Sequence, residues 1–346
     1  MRLSSLSRTF ALALSSLCLA VMAIAPPALA KAKGYRHYQI GTPDSATPGP
    51  VSGGLLLMGG GDRNHDAMHW FFAKAGHGHI VILRASQAGQ VGKEFYRDIG
   101  GIQSAETFVF SDRAASSDPR VLDALKRADG IFIAGGDQSN YVRYWRGTPV
   151  GELLDAHVAA GKPLAGTSAG LAMLGEKLYG AMDGGSITSP EAMADPFGPA
   201  NTIESDFLHL SLLKGVVTDT HFKERDRLGR LFAFLAKAQA DRPADAPAMI
   251  GVGVDESASL AVEPDGTARI YATAPDGGAW LVDGSTLRGL PRQGPLQGPL
   301  NAPRIRVTGI DHQSVLHLPG GTVDHPSFVR NYAVADGKIV GETPAP

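Results

Sequence analysis

From about residue 54 to residue 254, short apolar runs alternate with segments of helical spacing. Residues 54–58 (GLLLM) predict a buried strand closed by Gly59, Gly60 and Gly61, and 79–84 (HIVILR) predict a second. Further strands are expected at 107–110, 130–134, 163–165, 216–219 and 249–254. Helical spacing falls between them, over 66–75, 91–99, 119–128, 139–144, 150–160 and 225–240. Pro119 sits near the start of one of these helices, where proline suits the first turn, and Gly161 stops another.

Apolar strands alternating with helices imply an α/β fold, a mostly parallel sheet with helices on both faces. Such sheets gather ligands beyond the carboxyl ends of their strands, and that is where the glycine-rich turns fall. After about residue 259 the pattern changes. Pro264, Asp265 and Gly266 mark a turn between 260–262 and 268–271, a hairpin signal, and 280–282 and 304–307 predict further strands. Residues 289–303, rich in Pro, Gly and Gln, read as a loop. The expected layout is therefore an irregular polar arm at 31–50, a catalytic α/β domain at 51–262, and a β-rich extension at 263–346 that extends the same sheet.

The first thirty residues read differently. Arg2 and Arg8 precede an uncharged apolar run at 9–25, Pro26 and Pro27 break it, and Ala28-Leu29-Ala30 offers a cleavage site. That is the pattern of a secretory signal peptide removed after Ala30, which predicts a secreted or periplasmic protein with no membrane attachment after cleavage. The single cysteine, Cys18, lies inside this leader. The processed chain would then have no disulfide, cysteine-ligated metal or cysteine nucleophile. The 32 Lys+Arg against 34 Asp+Glu give a net charge of −2, without the basic excess that a nucleic-acid partner needs.

Gly166-Thr167-Ser168-Ala169-Gly170 fits G-x-S-x-G between a predicted strand and a predicted helix. A sharp strand-to-helix turn there would lift the Ser168 hydroxyl above the sheet, with the Ala169 N–H as an oxyanion donor. An ordinary glycine-rich turn has the same composition. A nucleophilic serine needs a base and an acid to orient that base. His221 follows the predicted strand 216–219, and Asp255 and Glu256 follow the strand 249–254, so the three strand ends would present Ser168, His221 and an acid to one crevice. Gly135-Gly136-Asp137-Gln138 is a second loop at that edge. Its glycines would let backbone N–H groups approach an oxyanion, and Gln138 could bond a substrate amide, while Asp137 would equally serve as a helix cap.

With these pieces in place, the chain resembles the cyanophycinase and aspartyl dipeptidase family of serine peptidases, built on the class I glutamine amidotransferase-like, flavodoxin-like fold. The matching stretches are MGGGD at 58–62, GGDQ at 135–138, GTSAG at 166–170, DTHFKERDRLGRL at 219–231 and GVGVDESAS at 251–259, in the family's order. The resemblance implies Ser168 as nucleophile, His221 as base and Glu256 as the orienting acid, with the N–H groups of Gly136 and Ala169 holding the oxyanion. It implies a substrate site of Gln138, Asp219, Thr220 and Arg230, with Arg230 a better positional match than Arg225 or Arg227. It also implies hydrolysis of aspartyl peptide bonds, in a peptide or a cyanophycin-like polymer that releases β-aspartyl-arginine, without metal or cofactor. Thr220 stands where the family would place glutamine, which bears on the exact polymer. A homodimer stays open.

Two other readings compete. An esterase or lipase of the α/β-hydrolase type would use a late histidine, His312, His317 or His325. A periplasmic binding protein would keep the fold with a decayed site. His65 and His69 have the i, i+4 spacing of a zinc pair without a third ligand set, and Gly59–Gly61 lacks the Lys-Ser/Thr of a phosphate loop.

Overall fold

The computed structural model describes residues 34–43, 47–86, 91–243, 245–290 and 298–344. The leader expected at 1–30 lies outside them. The first stretch of the expected arm is a strand, β1 (Tyr35–Gly41), which pairs antiparallel with a later strand along its whole length, Tyr35 opposite Phe110 and Gly41 opposite Ser104. This corrects the reading of 31–50 as irregular. Its residues are half-buried or exposed, so it carries no apolar run to announce it.

The central strands are apolar on both faces because both are covered. β2 (Leu55–Met58) is buried throughout. Leu55 and Leu57 join one core and Leu56 and Met58 the other, as alternation along a strand requires. α1 (His65–Lys74) follows, its first turn capped by the Asn64 side chain on Ala67 N–H. Then come β3 (His79–Arg84), α2 (Val91–Lys93) widening into a further turn through Ile99, and β4 (Ser104–Phe110). α3 (Pro119–Arg127) has an Asp118 cap, proline in the first turn and Lys126 and Arg127 in the last, each where the helix dipole and the free N–H groups favour it. β5 (Gly130–Ile133), α4 (Gln138–Trp145), α5 (Pro149–Ala159), β6 (Leu164–Thr167) and the short α6 (Ala169–Ala172) complete this half.

A small hairpin, β7 (Leu178–Tyr179) with β8 (Ile203–Glu204), encloses α7 (Ser189–Ala194). β9 (Val216–Asp219), α8 (Leu228–Ala238), β10 (Ile250–Val254), β11 (Ala258–Val262), β12 (Thr267–Ala272) and β13 (Ala279–Asp283) follow. The last strands are β14 (Ala302–Ile310), β15 (Val315–His317), β16 (Thr322–Asp324), β17 (Phe328–Ala335) and β18 (Lys338–Pro344).

These strands form two large sheets. The first has ten strands in the order β1-β4-β3-β5-β6-β2-β11-β12-β15-β16, parallel from β4 to β2 and antiparallel outward from there. The second has six, β18-β17-β14-β13-β10-β9, of which only β9 and β10 run parallel. The β-rich extension is therefore divided. β12, β15 and β16 lengthen the first sheet, while β13, β14, β17 and β18 build most of the second, which corrects the expectation of one extended sheet. α1 packs on one face of the first sheet through Met68 and Phe71, and α3 and α5 on the other through Val121, Leu125 and Leu154. α8 covers the second sheet with Phe232 and Leu235 against Val282 and Val307. The described residues make one compact unit. Among them no helix is long and apolar enough to cross a membrane.

Candidate active site

β6 ends at Thr167, and α6 begins at Ala169. The residue between them, Ser168, has φ 53° and ψ −120°, a conformation a non-glycine residue adopts only when the surroundings enforce it. The enforcement comes from close packing. A Cβ on Gly166 would lie 2.5 Å from the Gly170 carbonyl oxygen, and one on Gly170 would lie 2.2 Å from the Ile133 oxygen. Both glycines of G-x-S-x-G are thus required for the bend that raises the Ser168 hydroxyl.

His221 leaves β9 after Asp219 and Thr220 with φ 45°, and Glu256 follows β10. The Ser168 hydroxyl donates to His221 Nε2 at 2.7 Å, and His221 Nδ1 donates to Glu256 Oε1 at 2.5 Å. An ionised carboxylate only accepts, so Glu256 fixes the proton on Nδ1 and leaves Nε2 free to receive the serine proton. Burial lowers the His221 pKa, assisted by the Arg225 and Arg227 guanidiniums, while the bond to Glu256 pulls the other way. The imidazole is held neutral, the form a base needs.

The three side chains come from both sheets, so Ser168 and His221 do not share one sheet edge. The seam is closed by the Met58–Gly60 backbone. Ser168 N–H donates to the Met58 carbonyl at 3.0 Å, His221 N–H to Gly59 at 2.8 Å, and Ser257 N–H to Gly60 at 2.7 Å. Gly60, with φ 112°, lies directly against the imidazole, because a Cβ there would meet His221 Cε1 at 2.2 Å. The glycine run after the first strand is therefore a platform for the histidine.

Gly135 abuts the nucleophile, its Cβ position 3.2 Å from Ser168 Cβ. Among the described residues, the N–H groups of Gly136 and Ala169 donate to no protein acceptor. They are the free donors expected beside an oxyanion. Gly136 has φ 146°, and a Cβ on it would fall 1.9 Å from Ser86 Oγ, so this position too requires glycine. Asp137 caps α4 on Ser139 N–H at 2.9 Å, and Gln138 beside it is half-buried, its side-chain amide making no hydrogen bond to the described residues.

The expected substrate site is only partly found. Arg230 is 2% exposed and bonds Asp219 with both arms of its fork, with further bonds to Ser186 Oγ and the Ile187 carbonyl. Thr220 is buried, its hydroxyl and carbonyl both accepting from Arg227. Asp219, Thr220 and Arg230 thus form an internal brace in the segment that carries His221. Arg227 belongs to the same brace. Arg225 is the exposed cation, 3.7 Å from Glu256. The choice between the two acids is also made. Asp255 accepts from Lys223 N–H, Gly278 N–H and Trp280 Nε1, and burial pushes its carboxyl up to about 6. Among the late histidines, His317 pairs with Asp324 at an exposed position. No group of three or more His, Cys, Asp or Glu among the described residues could hold a metal.

Sequence comparison matches residues 55–269, well over half of the chain, to peptidase family S51. The chain belongs to that family. It is a serine peptidase. Relatives named cyanophycinase are 27% identical over 274 residues in Trichormus variabilis, covering 76% of this chain and 85% of that one. In Synechococcus elongatus the figure is 33% over 196 residues, covering 56% and 54%. A crystal structure of a peptidase from an acI-B1 Actinobacterium aligns with TM-score 0.48 at 18% identity, covering 71% of this chain and 95% of that one. In this S51 peptidase, sequence reasoning missed the platform role of Gly60, although the MGGGD stretch was its signal. It also missed Arg84, at the end of β3, whose guanidinium reaches the Gly135 carbonyl at 3.5 Å.

Proposed function

We propose that this S51 peptidase is an exported hydrolase of the cyanophycinase type, which cleaves aspartyl peptide bonds through Ser168, His221 and Glu256. The observation that carries the reading is the unbroken hydrogen-bonded row from the Ser168 hydroxyl through His221 to Glu256. Ser168 Oγ attacks the scissile carbonyl carbon as its proton passes to His221 Nε2. The oxyanion that forms is held by the N–H groups of Gly136 and Ala169, each typically worth about 3 kcal/mol at such a site. The C–N bond breaks, Nε2 protonates the leaving amine, and water activated by the same imidazole releases the acyl group. Glu256 holds the imidazole in the required tautomer throughout.

For the substrate, an aspartyl carboxylate calls for a cation at the crevice. With Arg227 and Arg230 bonded internally, Arg225 is the guanidinium that fits this role, since it is exposed beside Glu256. Gln138, with its amide uncommitted, suits a contact to the substrate main chain. Export rests on the leader pattern at 1–30.

The test is incubation of the chain lacking residues 1–30 with cyanophycin and with a panel of α- and β-aspartyl peptides. Release of β-aspartyl-arginine is the expected result. Cleavage of aspartyl peptides alone would discard the polymer and keep the chemistry, and no cleavage of any of them would overturn the reading.

A further inference from the structure

Arg84 lies at the carboxyl end of β3, beside the loop that carries Gly135 and Gly136. It is half-buried, its Nε is enclosed without an acceptor, and among the described residues the one hydrogen bond of its side chain runs from Nη2 to the Gly135 carbonyl oxygen at 3.5 Å. Among the described residues no carboxylate pairs with it. The sequence at 87–90, QAGQ, contains no acid either. A partly enclosed guanidinium with no paired carboxylate leaves its charge available to the loop beside it.

The Tyr141 hydroxyl, 3.4 Å from the same oxygen, gives its one proton to the Ala134 carbonyl at 2.6 Å. In a planar trans peptide the C=O and the N–H point to opposite sides. The Arg84 guanidinium on the Gly135 oxygen therefore turns the Gly136 N–H away from itself. A peptide between two glycines has little else to fix it, since neither residue has a side chain. Gly135 also touches Ser168 directly.

We propose that Arg84 is a positioning residue for the oxyanion hole, orienting and polarising the Gly135–Gly136 peptide so that the Gly136 N–H is a stronger donor to the developing oxyanion. The guanidinium draws electron density toward the Gly135 oxygen, which leaves the N–H more positive. Its uncompensated charge stabilises the anionic transition state more than the neutral substrate. The inference rests on the acyl-transfer reading given above.

The test compares Arg84→Gln, which keeps an N–H donor and removes the charge, with Arg84→Lys, which keeps the charge. The rate of Ser168 phosphonylation by a fluorophosphonate probe is measured by mass spectrometry, because this reaction needs an oxyanion hole and no particular peptide. kcat and KM are measured on whichever aspartyl peptide is cleaved. Arg84→Gln should slow labelling and kcat by about tenfold or more with KM little changed, and Arg84→Lys should stay within about threefold of the parent. Equal rates for the parent and Arg84→Gln, or equal losses in both variants, overturn the proposal. A rise in KM at constant kcat also overturns it, since Arg84 would then bind substrate. If Arg84→Gln does not fold, as judged by circular dichroism, Arg84→Met takes its place, with the same slowing expected and rates equal to the parent's again overturning the proposal. An unlabelled parent protein would defeat the hydrolase reading itself, whereas a labelled parent with an equally labelled Arg84→Gln defeats this inference alone.

Discussion

Gly60 lies beneath the imidazole of His221 so closely that a single added methyl group would sit 2.2 Å from Cε1. The ring cannot stay where it is if Gly60 becomes alanine. Its contact with Ser168 is 2.7 Å, and a displacement of about 1 Å at such a contact costs about a hundredfold in rate. Gly60→Ala is therefore expected to fold and to lose about two orders of magnitude in kcat/KM, measured on the best aspartyl substrate. Near-normal activity would mean that the histidine has another place to stand.

The bend at Ser168 stores strain. Replacing serine by glycine relieves the positive φ, whereas alanine retains it. Ser168→Gly should be inactive and more stable than Ser168→Ala by about 1 kcal/mol, read from urea unfolding of the two variants. Identical stabilities would show that the bend costs nothing.

The pH profile follows from the surroundings of His221. Because burial disfavours the imidazolium, the acid limb of kcat/KM should have its midpoint below the ordinary 6.5. Removing a nearby cation makes protonation easier, so Arg225→Gln should move that limb upward. Glu256→Gln removes the partner that favours the protonated ring and should move it downward while lowering kcat. A limb that ignores both changes belongs to some other group.

The brace in the segment that carries His221 makes a different forecast. Asp219 is the carboxylate shared by Arg230 and, at 3.7 Å, Arg227. Deleting it alone leaves buried guanidiniums uncompensated, at a cost of about 3–5 kcal/mol. Asp219→Ala should be destabilised by that order in thermal or urea unfolding, and Asp219→Ala with Arg230→Met should recover part of the loss. If Asp219→Ala instead raised KM without loss of stability, the carboxylate would be a substrate contact after all.

The parallel centre of the fold was legible because its strands are continuous apolar runs between glycine turns. β3 was read at its observed length for that reason. β1 was not legible, since an edge strand with alternating exposed residues has no such run. Nor was the division of the C-terminal strands between two sheets. β12 and β13 look alike in sequence, and their partners are chosen by pairing with residues far away in the chain.

At the site, Ser168, His221 and Glu256 were readable because each follows a strand in a recognisable motif. Asp255 and Glu256 could not be separated until their hydrogen bonds were known. The bond of Arg230 to Asp219, eleven positions earlier across a turn, is not legible from spacing alone. A buried pair and an exposed binding arm have the same letters.

The alcohol stands on one sheet, while the imidazole and the carboxylate stand on the other, and the main chain at Met58–Gly60 bonds to the segments that carry all three. A slight shift of one strand end against the other would disengage the reacting groups before the hydrophobic interior that the two sheets share opened. Mild denaturant should then silence the enzyme well before circular dichroism registers melting.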